Sequence, residues 1–301
     1  MDLFAWGGNV LSSICIIFLT KLVMANYGFM FATTICGLHF LSCAIAIRTS
    51  SALGYTEHVA IPFRDVLVFS LIGAVSIASA NLSLMMNTVG FYQIAKLLLA
   101  PFVCAVESMF MGKRFSVPVL VCILVTLLGV GIVTVSDVQS NLMGTVMAMI
   151  FVVSSGLQQI LCGHFQSKHQ LASHQLLANT APVQGLILTC IGPSLDWSLT
   201  GMWIGDWVPT RTGVNVLMTS CVVAIAVNLS QFLCLGRFSA TSFQVLGHAK
   251  TVLVLFGGWA FFNDLINLRQ LAGMTLAVLG MIAYGFFMSR GGVSSKGDAK
   301  K

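Results

Sequence analysis

Long apolar runs, separated by short polar or charged segments, make up most of the chain. A transmembrane helix needs about 20 consecutive apolar residues, and such runs recur from one end of the sequence to the other. Breaks such as Asn26-Tyr27-Gly28 and Lys113-Arg114 carry turn or charge signals that end a helix. We therefore predict ten membrane-spanning helices, at 3–24, 29–47, 64–86, 88–110, 117–136, 143–163, 172–194, 213–235, 240–261 and 269–289.

The composition excludes a water-soluble protein. Of the 301 residues, 57% are hydrophobic and 8% are charged, and the mean hydropathy is +0.94, whereas soluble domains carry about 25% charged residues. Ten helices use about 200 residues and leave only short links, so we predict an all-α polytopic membrane protein without an aqueous domain. The sequence contains no phosphate-binding loop, nucleophile elbow, paired-acid site or zinc motif. We expect no enzymatic activity, no cofactor and no metal.

The charged residues predict the orientation of the chain. The net charge is +6, but the basic residues lie mostly in short links, so they indicate topology rather than nucleic-acid binding. With both termini in the cytosol, ten basic residues fall on the cytosolic side: Arg48, Arg64, Lys113, Arg114, Lys168, Arg237, Arg290, Lys296, Lys300 and Lys301. Six charged residues fall on the opposite side: Arg211, Arg269, Asp137, Asp196, Asp206 and Asp264.

The chain also contains an internal repeat. Gln93, which follows an aromatic residue, recurs 151 residues later as Gln244, and Gly129 recurs at the same spacing as Gly280. The Asn-Leu-Ser triplet that begins at Asn81 recurs 147 residues later. Two halves with five spans each must enter the membrane from opposite sides, which is the inverted repeat of many secondary transporters. The predicted divisions are a first repeat at 1–137, a second repeat at 138–289 and a cytosolic tail at 290–301.

Two lysines lie near the middle of corresponding spans. Lys96 and Lys250 are about 12 Å and about 15 Å into a hydrocarbon core that is about 30 Å thick. A charge at that depth costs about 2.5–3.5 kcal/mol, so we interpret the two lysines as the lining of an anion-binding cavity. The alternative is an internal salt bridge. Glu107 lies about 16 Å along the same helix from Lys96 and is too far to pair with it, although it can reach Lys113 or another helix.

Polar side chains cluster on the spans that carry these lysines. Tyr92 and Gln93 precede Lys96 by one helical turn and share its face. His248 is interpreted as a hydrogen-bonding group, with a proton relay as the alternative, and each polar residue alone is equally compatible with packing between helices. The candidate substrate-binding residues are Lys21, Tyr92, Gln93, Lys96, Gln158, Gln159, Lys168, Asn179, Thr180, Asn228, Gln231, Gln244, His248, Lys250 and Thr251.

Prolines and glycines inside the spans leave two interpretations open. Pro101 and Pro182 break helices at depth and free backbone groups for a substrate or a hinge, or they are tolerated as kinks. The glycines inside the spans are interpreted as packing positions that allow helices to approach closely: Gly7, Gly8, Gly129, Gly131, Gly257 and Gly258.

Several motifs resemble one known family. The segment 241–251 reads Thr-Ser-Phe-Gln-Val-Leu-Gly-His-Ala-Lys-Thr, and 89–96 reads Val-Gly-Phe-Tyr-Gln-Ile-Ala-Lys. Both resemble the nucleotide-sugar transporter and triose-phosphate translocator family of the drug/metabolite transporter superfamily. The pair Lys250-Thr251 is similar to the signature of its KT group, and segments 27–34 and 176–184 match that group as well.

The resemblance implies ten helices in two inverted repeats that work by alternating access. Such transporters exchange a cytosolic nucleotide-sugar for a luminal nucleoside monophosphate, in Golgi or endoplasmic reticulum membranes. Phosphate translocators of the family carry Lys-Arg where this chain has Lys250-Thr251, which favours a nucleotide ligand here. Segments 158–160 and 236–242 most resemble plant Golgi transporters of UDP-rhamnose and UDP-galactose, and the UDP-xylose type is next. The single Lys168 and Asn179 depart from the usual pattern and leave the sugar open.

These observations lead to one preferred function and three alternatives. The preferred function is an antiporter that exchanges a UDP-sugar, of the UDP-galactose or UDP-rhamnose type, for UMP in the Golgi membrane. The alternatives are a carrier of UDP-xylose or another nucleotide-sugar, an exchanger of smaller phosphorylated metabolites against phosphate, and a membrane scaffold without transport activity. The expected partners are the lipid bilayer, the UDP-sugar and UMP, but no nucleic acid, and a homodimer stays open.

Overall fold

The structure is a computed structural model that describes residues 2–57, 59–87, 91–92, 95–136, 142–237, 268–289 and 293–295. In this part of the chain helices dominate, with one pair of short strands. The helices are α1 (Asp2–Tyr27), α2 (Ala32–Ala52), α3 (Phe63–Met86), α4 (Leu99–Met111), α5 (Val117–Ser136), α6 (Leu142–Lys168), α7 (Ser173–Thr200), α8 (Arg211–Arg237) and α9 (Leu268–Ser289). The strands are β1 (Lys113–Phe115) and β2 (Val293–Ser295), and 3-10 turns cover Lys96–Leu98 and Ile204–Asp206.

Seven of the described helices are long and apolar enough to cross a membrane: α1, α2, α3, α6, α7, α8 and α9. The described part of α5 contributes a shorter apolar helix, Val117–Ile132. The all-helical polytopic membrane architecture is therefore confirmed. The predicted span 240–261 lies outside the described residues, and the total of ten spans stays a prediction.

The predicted end of the seventh span is wrong by about two turns. The prediction ends the span at residue 194, because Asp196 is interpreted as the start of a polar link that runs to Arg211. In the structure α7 continues through Asp196 to Thr200 and ends at Gly201, whose φ of 70° is left-handed. Asp196 is thus a helical residue, and it is buried.

The chain forms two compact units. The first comprises Met1–Asn81 and Leu161–Arg237, and the second comprises Leu82–Ile160 and Phe238–Lys301. Helices α3 and α6 each contribute residues to both units. Each unit therefore draws residues from both predicted repeats, so the units are not the repeats themselves, and the division at residue 137 stays a prediction.

In the first unit, α2 and α7 approach each other at glycines. A Cβ on Gly37 would lie 2.8 Å from the Thr189 backbone nitrogen, and a Cβ on Gly185 would lie 2.9 Å from the Leu41 backbone nitrogen. Gly37 and Gly185 are 148 residues apart in the sequence, and so are Leu41 and Thr189. The two contacts are therefore reciprocal, which is the pattern of an interface related by a two-fold axis.

In the second unit, α5 and α9 show the same reciprocity. Gly129 lies directly against the backbone of Ala277, and a Cβ on Gly280 would lie 2.9 Å from the Thr126 backbone nitrogen. Gly129 and Gly280 are 151 residues apart, and so are Thr126 and Ala277. The predicted packing role is therefore confirmed for Gly129. It is wrong for Gly7, Gly8 and Gly131, because a Cβ at each of them would meet no described atom within 4 Å. Gly257 and Gly258 lie outside the described residues.

Contacts between the links agree with an alternating path through the membrane. The backbone of β1 pairs antiparallel with β2, which brings the α4–α5 link and the segment after α9 to the same end of their unit. In the first unit, the Trp207 indole nitrogen donates to the Tyr27 carbonyl over 2.8 Å. This bond joins the α7–α8 link to the α1–α2 link. Each contact joins two links that the predicted topology places on the same side of the membrane.

Candidate functional site

Lys96 begins a short 3-10 stretch within the fourth predicted span. Residues 91, 92 and 95 are helical, Lys96 begins the 3-10 turn Lys96–Leu98, and α4 follows from Leu99. Pro101 is the third residue of α4, where its missing N–H leaves no intrahelical bond unmade. A 3-10 stretch within a helix often marks a functional position or local strain.

The ammonium group of Lys96 lies over an aromatic ring. Its Nζ is 4.8 Å from the centroid of the Tyr92 ring, as the four-residue spacing predicts. The Tyr92 ring packs in turn against Phe151 of α6, with 5.6 Å between the ring centroids. In the described part of the chain no carboxylate lies within ion-pair distance of Lys96. The Tyr92 ring thus positions the lysine, and no carboxylate of the described residues neutralises its charge.

Glu107 is paired with the lysine that follows α4. The Lys113 Nζ lies 3.0 Å from a Glu107 carboxylate oxygen, and the carboxylate side chain is 4% exposed. The expectation that Glu107 does not neutralise Lys96 agrees with this pairing. The internal salt bridge considered for Lys96 therefore finds no support among the described residues.

The glutamines of α6 lie beside a close helix contact. The Gln159 amide donates to the Ser155 hydroxyl over 3.4 Å and is buried, whereas Gln158 is half-buried. Gly156, two residues before Gln158 on the same helix, lies directly against the Phe102 ring of α4. Gln159 and Lys96 lie in the same unit, and the helix that carries Gln159 contacts α4, which directly follows the 3-10 turn of Lys96.

The two candidate residues on α7, Asn179 and Thr180, form hydrogen bonds with the protein backbone. The Asn179 side-chain amide donates to the Val59 carbonyl of the α2–α3 link and to the Gln175 carbonyl, each over 2.8 Å. The Thr180 hydroxyl donates to the Leu176 carbonyl over 2.9 Å and is fully buried. Pro182 lies within α7, and the helix continues through it, as for a tolerated kink.

On α8, Asn228 belongs to a polar seam between α8 and α2. Its amide donates to the Ala224 carbonyl over 2.9 Å and lies 3.6 Å from the Cys43 sulfur. Two turns away, the His39 imidazole lies 3.0 Å from the Ser220 hydroxyl. Gln231 follows Asn228 by one turn and is half-buried. The seam holds two parallel helices together and leaves Asn228 only partly buried.

Two predicted lysines lie near helix ends. Lys21 is exposed in the last third of α1. Lys168 ends α6, and its Nζ lies 2.8 Å from an Asp65 carboxylate oxygen at the start of α3; that oxygen is also 2.9 Å from the His169 Nε2. The Lys168 charge is therefore balanced within the protein. The remaining predicted residues lie outside the described part of the chain: Gln93, Gln244, His248, Lys250 and Thr251.

The structure also reveals polar residues that the sequence pattern does not single out. Asp196 accepts hydrogen bonds from the Thr33 and Thr34 backbone nitrogens over 3.0 Å and 2.9 Å, so it caps the start of α2 from another helix. Gln166 donates to the Phe232 carbonyl of α8 over 3.1 Å and accepts from the Ser173 hydroxyl of α7 over 3.0 Å. Such caps and braces depend on which helices meet, which a single sequence does not show.

The profile of the Triose-phosphate Transporter family matches residues 5–285, which is nearly the whole chain. The chain belongs to this family. The resemblance seen in the motifs around Lys96 and Lys250 is thereby confirmed. Because the family consists of transporters, the expectation that the chain is not an enzyme is confirmed as well.

Named relatives in Arabidopsis thaliana are similar over nearly the whole chain. The UDP-rhamnose/UDP-galactose transporter 2 is 44% identical over 285 residues, covering 94% of this chain and 82% of the relative. The UDP-rhamnose/UDP-galactose transporter 1 is 43% identical over the same shares. The UDP-xylose transporter 1 is 37% identical over 281 residues, covering 93% of this chain and 82% of the relative.

A solved crystal structure shares the fold of this family member. It matches with a TM-score of 0.62 at 13% sequence identity, and the match covers 94% of this chain and 98% of that chain. At this identity the likeness concerns the fold alone.

Proposed function

We propose that this member of the Triose-phosphate Transporter family exchanges a cytosolic UDP-sugar for luminal UMP. The observation that carries the proposal is Lys96, a cation in an apolar span with an aromatic ring beneath it and no carboxylate partner among the described residues. A diphosphate linkage brings about two negative charges, which Lys96 and Lys250 together would neutralise. Asn, Gln and Thr side chains would then form hydrogen bonds with the uncharged parts of the ligand.

The same lysines explain exchange rather than leak. A charged side chain in the apolar core is costly when it is unpaired, and an uncompensated buried charge is strongly destabilising. Crossing with an empty site would leave Lys96 without a carboxylate partner among the described residues. Crossing with a nucleotide at the site would neutralise both lysines, so each transport direction requires a bound nucleotide.

The relatives favour a UDP-sugar of the galactose or rhamnose type. The relatives named for UDP-rhamnose and UDP-galactose are 42–44% identical to the chain, and those named for UDP-xylose are 36–37% identical. UDP-xylose is therefore the second candidate substrate. Threonine at position 251, where phosphate translocators carry arginine, disfavours smaller phosphorylated metabolites.

Ten helices in two inverted repeats, with alternating access, form part of the proposal. The reciprocal contacts of α2 with α7 and of α5 with α9 support a two-fold relation between repeats at offsets of 148 and 151 residues. The basic residues of the links support cytosolic termini. The resemblance supports the Golgi membrane as the location, with the endoplasmic reticulum as the alternative.

Exchange in liposomes tests the proposal. Purified full-length protein is reconstituted in liposomes loaded with UMP, and uptake of labelled UDP-galactose, UDP-rhamnose, UDP-xylose and inorganic phosphate is compared. We expect uptake of UDP-galactose or UDP-rhamnose that depends on internal UMP and is lost in Lys250→Ala. Wild-type exchange by Lys250→Ala would remove that residue from the site. Uptake of phosphate alone would favour the smaller metabolites, and no uptake of any ligand would favour a scaffold.

A further inference from the structure

Gln184 is a buried amide whose hydrogen-bonding groups are unused. The residue lies on α7, its side chain is 0% exposed, and neither its Oε1 nor its Nε2 has a hydrogen-bond partner in the described part of the chain. Buried polar side chains nearly always have a partner, and an unpaired one requires an explanation. An amide buried without a partner is destabilising, so its presence here indicates a use.

The neighbouring hydroxyl groups already donate elsewhere. Thr180 lies one turn before Gln184 on the same face, and its hydroxyl donates to the Leu176 carbonyl over 2.9 Å. The Ser70 hydroxyl of α3 donates to the Thr180 carbonyl over 3.2 Å. Ser70 and Thr180 are both 0% exposed. Neither hydroxyl proton is left for the Gln184 oxygen, so the packing of α3 against α7 does not account for the amide.

The position of Gln184 along the helix is that of a transport site. It lies about 16 Å from the start of α7 at 1.5 Å per residue, near the middle of a hydrocarbon core of about 30 Å. Substrate sites of secondary transporters lie near the midplane. The adjacent residue Gly185 packs against Leu41 of α2, so the backbone that carries Gln184 is firmly held.

The chemistry of the amide defines what it can recognise. A glutamine side chain donates and accepts hydrogen bonds and carries no charge. It is therefore suited to a sugar hydroxyl or to the imide edge of a pyrimidine base, rather than to a diphosphate. We infer that Gln184 is a specificity-determining residue that hydrogen-bonds an uncharged part of the transported nucleotide-sugar. The inference rests on the proposed function.

An isosteric substitution separates ligand binding from packing. Gln184→Met keeps the volume and removes the amide, and Leu188→Met is the matched control, because Leu188 lies one turn further on the same face and is 2% exposed. Each variant is reconstituted with internal UMP, and half-saturating concentrations are measured for external UDP-galactose and for external UMP. Thermal unfolding without ligand is measured in parallel, and Gln184→Leu serves as a second apolar variant.

For Gln184→Met we expect the half-saturating concentration to rise about three- to tenfold, as for the loss of one buried hydrogen bond. We expect the melting temperature without ligand to be equal to or above that of the wild type. A rise for both ligands places the contact on the nucleoside, and a rise for UDP-galactose alone places it on the sugar. Unchanged values for both ligands, or the same rise in Leu188→Met, would overturn the inference. A wild-type protein that exchanges no UDP-sugar would instead refute the proposed function.

Discussion

Gly129 of α5 lies directly against the backbone of Ala277 of α9, and this contact has a reciprocal copy. The reciprocal contact joins Gly280 of α9 and Thr126 of α5. Gly280 lies 151 residues after Gly129, and Ala277 lies 151 residues after Thr126. Both glycines face backbone atoms, which cannot move aside as a flexible side chain can. Small residues at such positions let membrane helices approach closely. A repeat that is visible in the sequence thus corresponds to a pair of equivalent contacts in the structure.

We predict that Gly129→Leu and Gly280→Leu destabilise the protein to a similar extent. Each added side chain would overlap the backbone of the facing helix, and overpacking of this kind costs about 1–3 kcal/mol. Gly131→Leu is the control, because a Cβ at Gly131 meets no atom within 4 Å. Thermal unfolding of the purified variants in detergent checks this. A large loss for one glycine variant and none for the other would contradict the equivalence of the two contacts.

We predict that Asp196→Asn loosens the contact between α2 and α7. The carboxylate accepts from the Thr33 and Thr34 backbone nitrogens and from the Thr34 hydroxyl, which lies 2.8 Å away. Hydrogen bonds to charged groups contribute about 1.5–3 kcal/mol, and an asparagine amide presents only one accepting atom. Asp206→Asn is the control, because Asp206 is exposed and caps only a 3-10 turn. Thermal unfolding should show a clear loss for Asp196→Asn and almost none for Asp206→Asn.

The sequence predicts the polytopic helical membrane architecture well, and it singles out Lys96 as a candidate residue, because both depend on strong local signals. Apolar runs of sufficient length and a cation inside one of them are conspicuous in any membrane protein. Asp196 and Gln184 differ, because their roles depend on which atoms meet across helices. Asp196 has the sequence signature of a link, yet it lies inside a helix because the start of α2 supplies its donors. Whether Gln184 has a partner is likewise a property of the packed structure.

We predict that Lys168 and Asp65 form a weak, salt-sensitive ion pair. The Lys168 side chain is 47% exposed, and exposed ion pairs contribute little to stability because water and salt screen them. A double-mutant cycle with Lys168→Gln and Asp65→Asn, measured by thermal unfolding at low and high salt, checks this. Because Asp65 already balances the lysine, we expect UDP-galactose exchange to be retained within about twofold in both variants. A large loss of exchange in Lys168→Gln, but not in Asp65→Asn, would instead assign Lys168 to the substrate.

We predict that Lys96→Met strongly reduces exchange without unfolding the protein. Methionine is apolar and removes a charge that has no carboxylate partner in the described residues, so the cost of a charge in the apolar span disappears with it. The melting temperature without ligand should therefore stay the same or rise. Without the cation, the nucleotide phosphates lose one of two neutralising groups, and we expect exchange to fall at least about tenfold, which is about 1.4 kcal/mol.

Lys21→Met is the matched control for this variant, because Lys21 is an exposed lysine in another helix. We expect Lys21→Met to exchange UDP-galactose more efficiently than Lys96→Met. Lys96→Arg, which keeps the charge but changes the shape of the cation, should retain more exchange than Lys96→Met. Equal loss in Lys96→Arg and Lys96→Met would indicate that the shape of the lysine, rather than its charge, is what the site requires. Wild-type exchange by Lys96→Met would remove Lys96 from the anion site and leave Lys250 as its cation.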